Sequence, residues 1–323
     1  MNRFIFTCGD PNGIGPEIVI KTINTVYNKK DEFIFICPKN IFDINSSIIQ
    51  PKFKYQFYEN DNFDASSSDH VKVIGINDGK LTQGKPTKTS GSISFESIEI
   101  AKKIVDRNSA IITAPISKHS WELASIKYDG HTDFFGNKFK INNPLMLFYS
   151  PKMIAALATI HKPILQVPKI LSNKLLTDIV SAMIFSLKRD FKIINPKIAI
   201  LGLNPHAGEE GRIGKEELNI IRPIVKKFSK NCSGPFVPDA FFGNKLFEKY
   251  DAVLGMYHDQ VLIPFKMLNF DIGVNFTANL PIVRTSPDHG TAYDIAYKGK
   301  ANATSMIEAF RLAKRVLKNR NLQ

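Results

Sequence analysis

With 323 residues, 43% of them apolar and 23% charged, the chain has the balance of a globular protein and the length for about two domains. Lys and Arg outnumber Asp and Glu by 43 to 30, but the basic residues are scattered in pairs such as Lys29–Lys30, Lys102–Lys103 and Lys226–Lys227. Without a clustered basic stripe or an aromatic stacking platform, no nucleic-acid partner is expected. Cys8, Cys37 and Cys232 are an odd set at unrelated spacings, which excludes a disulfide framework or a Cys-rich zinc site. No leader-like or membrane-spanning apolar run is present, so a soluble cytoplasmic protein with no membrane partner is expected.

The first apolar run, Phe4–Cys8, predicts a strand, and Pro16–Tyr27 predicts a helix with Pro16 in its first turn, where a missing N–H costs nothing. Between them lies Gly9-Asp10-Pro11-Asn12-Gly13-Ile14-Gly15. Its spacing is neither the dinucleotide fingerprint nor a P-loop, and Glu17 at the helix start would repel a phosphate. On these residues alone a structural turn and a ligand contact stand equally open. Further along, Phe33–Cys37 reads as a strand, the polar stretch Glu59–Asp69 as a surface loop, Ser92–Val105 as a helix and Ala110–Thr113 as a strand. Gly130-His131-Thr132 reads as a loop offering an imidazole and a hydroxyl.

Strands follow at Leu145–Tyr149 and Ile154–Thr159, then a helix at Asn173–Leu187, a strand at Lys197–Leu203 and a helix at Glu216–Phe228. The last elements are strands Ala252–Met256 and Gly273–Thr277 and the helix Thr304–Asn319. In that helix Met306, Phe310, Ala313 and Leu317 recur at helical spacing, with Lys and Arg crowding its end, where the helix dipole favours them. The alternation predicts an α/β fold with a largely parallel sheet and no internal repeat.

Three histidines fall just past predicted buried strands: His161 after Ile154–Thr159, His206 after Lys197–Leu203 and His258 after Ala252–Met256. Ligands bind at the carboxyl edge of open α/β sheets, and three imidazoles with an open position are what a catalytic divalent cation uses. A single histidine at such a place is more often a hydrogen-bonded loop residue. Asn204, Asp259 and Gln260 stand beside these histidines as orienting groups. Near the end of the chain, Lys266, Asn275 and Arg284 are polar residues amid apolar stretches, and Arg284 has the chemistry to clamp a phosphate or carboxylate. Taken singly, an arginine there reads as a surface residue.

Together the stretches Gly9–Glu17, Thr113–Lys118, Gly130–Phe135, His161–Pro163, Leu203–Glu217, Gly234–Phe242, Asp251–Gln260 and Val274–Ala296 resemble one family, the 4-hydroxythreonine-4-phosphate dehydrogenases of pyridoxal phosphate biosynthesis. The wider group includes the isocitrate and isopropylmalate dehydrogenases, echoed by the opening glycine loop and by His289–Ala296. The resemblance implies two α/β/α domains with a cleft between them, residues 1–125 plus 270–323 on the cofactor side and 126–269 for metal, substrate and dimerisation. It implies metal ligands His161, His206 and His258; substrate contacts His131, Thr132, Lys266, Asn275 and Arg284; and a cofactor wall at Gly13, Gly15, Asp288, His289 and Gly290.

Lys266 and Asp259 are the catalytic candidates, with the general base left open. NAD, with NADP as the variant, and one divalent cation (Zn, Co or Mg) are the implied cofactors, in a homodimer that shares its active site. The implied reaction is oxidative decarboxylation of 4-hydroxythreonine 4-phosphate; the alternatives are a dehydrogenase of a threonate or erythronate phosphate and, in the same broad fold group, a phosphotransacetylase-like enzyme that needs neither NAD nor the histidines. Val261 stands where the family carries glycine, and Ile160 is inserted before His161.

Overall fold

The computed structural model describes residues 1–59, 63, 69–141 and 144–321, so most of the expected loop Glu59–Asp69 lies outside the described residues. The chain forms two compact units, Met1–Lys140 with Leu280–Gln323, and Ile141–Asn279.

The first unit opens with β1 (Asn2–Thr7), α1 (Gly15–Val26), β2 (Asp31–Ile36), α2 (Lys39–Ile49), β3 (Gln56–Glu59) and β4 (Val71–Gly75). It continues with α3 (Lys88–Ile104), β5 (Ser109–Thr113), α4 (Lys118–Leu123) and α5 (His131–Lys138). The second unit holds β6 (Leu145–Tyr149), β7 (Ile154–Leu157), α6 (Val167–Ile170), α7 (Asn173–Arg189), β8 (Ile198–Leu201), α8 (Arg222–Lys227) and β9 (Cys232–Phe236). Then come α9 (Pro238–Gly243), β10 (Ala252–Gly255), α10 (His258–Asn269) and β11 (Val274–Ala278). The chain returns to the first unit for β12 (Val283–Pro287) and α11 (Thr304–Asn321).

In the first unit the strands run in the order β3-β4-β2-β1-β5-β12, every neighbouring pair parallel. Strands covered on both faces must be apolar throughout, and β2 and β4 are buried along their whole length. The charges they carry are matched inside: Glu32 accepts a hydrogen bond from Arg3 Nε at 2.8 Å and forms an ion pair with the fully buried Lys72 Nζ at 2.8 Å. The stripe Met306, Phe310, Ala313 and Leu317 of α11 is buried as its spacing requires, with the Phe310 ring edge-on to Phe4 at 4.6 Å. In the second unit the order is β11-β6-β7-β10-β8-β9. There β6 is antiparallel to both neighbours and the four strands from β7 to β9 are parallel.

The unit boundaries fall at 140/141 and 279/280, later than the 125/126 and 269/270 read from the resemblance. Side-chain packing explains the shift at the first boundary. Trp121 of α4 packs edge-on against Phe95 of α3 and against His131 of α5, while Phe95 also meets Phe134. At the second, β11 pairs residue for residue with β6.

All eight expected strands form, and four more appear among the described residues. These four escape a search for apolar runs for identifiable reasons. Only two of the four residues of β3 are even half-buried, β4 and β12 carry Lys72 and Arg284 in their interiors, and β9 contains Gly234-Pro235, which suits an edge strand. The expected helix Glu216–Phe228 is instead a π-helical turn, Glu217–Ile221, followed by α8. Pro223 has no N–H to continue an α-ladder, so the backbone register shifts ahead of it. His131, expected in a loop, and His258, expected just past a strand, each open a helix.

Trp121 is the only tryptophan and is 1% exposed, with its indole N–H donating to Ser94 Oγ at 2.7 Å. Trp121→Phe should destabilise the protein by about 1–3 kcal/mol, because it leaves a void and removes the buried indole hydrogen bond, while Ser94 keeps its own donation to Gly91 O at 2.9 Å. Urea denaturation followed by far-ultraviolet circular dichroism measures this.

Candidate active site

The opening loop spends its amides internally. Asp10 N donates to Pro115 O at 2.8 Å, Asn12 N to Asp10 Oδ1 at 3.0 Å, Gly13 N to Asp10 O at 3.1 Å and Ile14 N to Thr291 O at 3.0 Å. A phosphate cradle needs those N–H groups free. The other Asp10 oxygen accepts hydroxyls from Ser90 at 3.0 Å, Ser120 at 2.6 Å and Tyr293 at 2.9 Å. Glu17 and Lys21 reach the same distant segment: Ala301 N donates to Glu17 Oε1 at 2.8 Å and Lys21 Nζ to Ala301 O at 2.7 Å. The loop is thus a rigid wall stitched to residues 291–301. Gly13 and Gly15 are required by contact, since a Cβ would lie 2.7 Å from Thr291 O and 2.1 Å from Cys8 O respectively. Gly290, by contrast, faces open space, and Asp288 and His289 beside it are half-buried. Asp288 N is tied to Ser305 Oγ at 3.1 Å.

Arg284 is not a surface residue. It sits in the middle of β12 and is 2% exposed. Its guanidinium donates to Thr113 Oγ1 on β5 through Nε at 3.2 Å and NH2 at 2.6 Å. Burial pulls its pKa down to about 9, so it remains a fixed cation at neutral pH. His131 is also buried, its Nε2 has no hydrogen-bond partner among the described residues, and its ring stands 5.9 Å from Trp121. Desolvation and then the Arg284 charge push its pKa well below the usual histidine value, so the imidazole is neutral. Thr132, half-buried, follows it in the first turn of α5. A buried cation beside a neutral ring with an unused nitrogen is a set of groups suited to an anionic oxygen. Thr113, which orients Arg284, stands at the end of the expected strand Ala110–Thr113 and opens the stretch Thr113–Lys118, the two signals the sequence carries for it.

In the second unit the three histidines follow β7, β8 and β10, and β10 is the parallel neighbour of both others. Their carboxyl ends therefore share one edge. The rings of His161 and His258 lie 5.7 Å apart. His258 Nδ1 is 2.7 Å from Asp259 Oδ1, the kind of carboxylate contact that orients a metal-binding imidazole. Gln260 joins two strand ends, accepting Met256 N at 2.7 Å and donating to Gly202 O at 2.7 Å. Val261 is fully buried and packs over Gly255, where a Cβ would meet its Cγ2 at 2.0 Å.

His206 begins a run of left-handed backbone, with φ of 53° at His206, 50° at Ala207, 79° at Gly208, 43° at Glu209 and 54° at Glu210. Such a conformation costs an L-residue about 1–2 kcal/mol. Among the described residues of one chain, no three His, Cys, Asp or Glu side chains converge to hold a metal ion. Lys266 is half-buried on α10, and Asn275 lies on β11 with its Oδ1 buried and without a partner among the described residues.

A parallel-sheet unit and a mixed-sheet unit, with this loop, give the fold seen in the isocitrate-type dehydrogenases. The crystal structure of isocitrate dehydrogenase from Methylococcus capsulatus shares it with a TM-score of 0.55 at 12% identity, over 99% of this chain and 87% of that one, a likeness of fold alone. Within that group the chain belongs to the family described as pyridoxal phosphate biosynthetic protein PdxA, whose sequence model matches residues 29–313. It is 38% identical to the 4-hydroxythreonine-4-phosphate dehydrogenase of Aquifex aeolicus, over 98% of this chain and 99% of that one. The crystal structure of 4-hydroxythreonine-4-phosphate dehydrogenase from Klebsiella pneumoniae gives a TM-score of 0.82 at 32% identity, over 98% of each chain. The chain is accordingly an oxidoreductase, and no single helix among its described residues is long and apolar enough to cross a membrane.

The His131 environment has a measurable consequence. Its folded pKa is lowered, so below about pH 6.5 the unfolded chain binds a proton that the folded one refuses, and stability falls as pH drops. Urea-unfolding free energies between pH 7 and 5 should decline more steeply in the wild type than in His131→Asn, by up to about 1.4 kcal/mol per pH unit. Identical slopes would show that the ring titrates in the folded state.

Proposed function

We propose that this chain catalyses the oxidative decarboxylation of 4-hydroxythreonine 4-phosphate to 3-amino-2-oxopropyl phosphate and CO2, with NAD and one divalent cation, as a cytoplasmic homodimer that shares its sites. The observation that carries the reading is the set of three imidazoles at the ends of three adjacent parallel strands, in a chain of this family. The donor set suits a borderline divalent cation, and Asp259, 2.7 Å from His258 Nδ1, is placed to orient that ring toward it.

The reaction balances without net acid. Hydride leaves C3, the C3 hydroxyl gives up its proton, the carboxylate departs as CO2, and the electron pair left at C2 takes a proton back. When bound, the nicotinamide is the hydride acceptor and the cation the Lewis acid favouring an ionised C3 oxygen. The chain's own residues bind, orient and move protons. Arg284, held by Thr113, takes an anionic group of the substrate through charge-assisted hydrogen bonds, and His131 and Thr132 add neutral contacts. Asn275 Oδ1 accepts from the amine, and Lys266 is the residue assigned to carry the proton between hydroxyl and C2. Gly13, Gly15, Asp288, His289 and Gly290 wall the cofactor in the first unit; the second unit carries metal and dimer contacts.

Exposed apolar side chains support the dimer. Ile164 and Leu165 follow His161, and Ile263, Met267 and Phe270 lie at helical spacing along and just beyond α10, the helix that His258 begins. Among the described residues of one chain no three such ligands converge, and in the proposed dimer a second copy would complete the set.

Purified protein given NAD, a divalent salt and 4-hydroxythreonine 4-phosphate should form NADH and CO2 in equal amounts. Silence with Zn, Co and Mg in turn rejects the substrate. His206→Ala and His258→Ala should each be inactive, and mixing the two under subunit exchange should restore part of the activity; no recovery argues that each site belongs to one chain. Arg284→Met should lower kcat/KM by about 10–100-fold, from loss of a charge-assisted contact, while raising the thermal midpoint, because the cost of burying a charge is removed.

A further inference from the structure

We propose that Glu217 is a positioning residue for His206: its buried carboxylate is the template on which the left-handed turn bearing that imidazole is built. The inference rests on the metal-binding reading of His206. Glu217 is 1% exposed and enters from the π-helical turn Glu217–Ile221, eleven residues after His206 in the chain. One carboxylate oxygen, Oε1, accepts two consecutive backbone amides where β8 ends, Leu203 N at 2.7 Å and Asn204 N at 2.8 Å. The other, Oε2, accepts Asn204 Nδ2 at 3.0 Å, and Glu216 Oε2 takes the same nitrogen at 2.8 Å.

The Asn204 backbone oxygen in turn receives Ala207 N at 3.1 Å, closing the turn around His206. The carboxylate also occupies the space beside Gly208, where a Cβ would lie 2.5 Å from Oε2. Farther along, the Arg222 guanidinium grips Glu210, within the left-handed run, with Nη1 2.8 Å from Oε2.

This arrangement needs an acceptor on both edges of the group. An amide of equal volume keeps the packing but must present an N–H2 either to the two backbone amides or to Asn204 Nδ2, donor against donor. Glu217→Gln therefore perturbs the loop while leaving the core volume intact, and it separates positioning from bulk structure. Glu217 touches no reacting atom in this account; it acts only through the placement of His206.

The test uses cobalt chloride with the full-length protein, following the visible absorption of bound Co2+, together with hydrogen–deuterium exchange of the protein without added metal. Wild type should bind Co2+, and Glu217→Gln should weaken binding by about 10–100-fold, the usual scale for a group that orients a ligand. The loss should recur when Glu217→Gln is added to His161→Ala and should vanish when it is added to His206→Ala. Amides of residues 203–210 should exchange at least about tenfold faster in Glu217→Gln, with the rest of the second unit unchanged, and this comparison decides the matter if His206→Ala binds no cobalt at all. Unaltered cobalt affinity in Glu217→Gln, an undiminished effect in the His206→Ala background, or unaltered exchange at 203–210 overturns the positioning role while leaving the metal reading intact. A wild type that takes up no cobalt overturns both.

Discussion

Parallel strands all finish at the same edge of a sheet, and that constraint creates the chemistry of this chain. Residues that follow β7, β8 and β10 are separated by dozens of positions in sequence, yet hydrogen bonding sets their strands side by side and brings the imidazoles to one rim. The first unit uses the same device. There β5 and β12 lie parallel, and Thr113 at the end of one takes the guanidinium of Arg284 from the other. In both units the scaffold is a hydrophobic sheet interior; the candidate histidines follow strand ends where that interior stops, whereas Arg284 lies within a strand and reaches Thr113 at the end of β5.

Electrostatics in the first unit run against stability. Arg284 is a cation held out of water, and His131 beside it gives up its proton rather than share the space. A sheet strand would be more stable with an apolar residue at 284. The arrangement makes sense for a pocket that receives an anion: the charge is already desolvated and aimed, so little reorganisation remains when the ligand arrives. The buried Oδ1 of Asn275 likewise has no partner among the described residues, which fits the substrate contact proposed for it.

The glycine loop shows how a motif that fails every familiar template acquires a meaning from its surroundings. Its amides are consumed by Asp10, Pro115 and Thr291, and the side chains of Asp10, Glu17 and Lys21 reach residues almost three hundred positions away. The glycines are there so that backbones can touch, not so that a phosphate can approach. A loop pinned at both ends of the chain is a stiff surface, as the wall of a cofactor site needs to be.

The sequence by itself determined the α/β class, all eight expected strands, the buried stripe of α11 and the positions of the three histidines after strands, because hydrophobic periodicity and strand ends are local properties. Its motifs, taken in order, also pointed to the family. Only the tertiary structure decided that Arg284 is buried, that His131 and His258 start helices, that β4 and β12 are strands despite the charges within them, and that Glu217 reaches back to shape the turn at His206. Those outcomes depend on which residues meet across long loops: Glu32 with Lys72, Thr113 with Arg284, and Glu217 with the amides of 203 and 204. A charged side chain reads as exposed until its partner is known, and a partner dozens of residues away leaves no local trace.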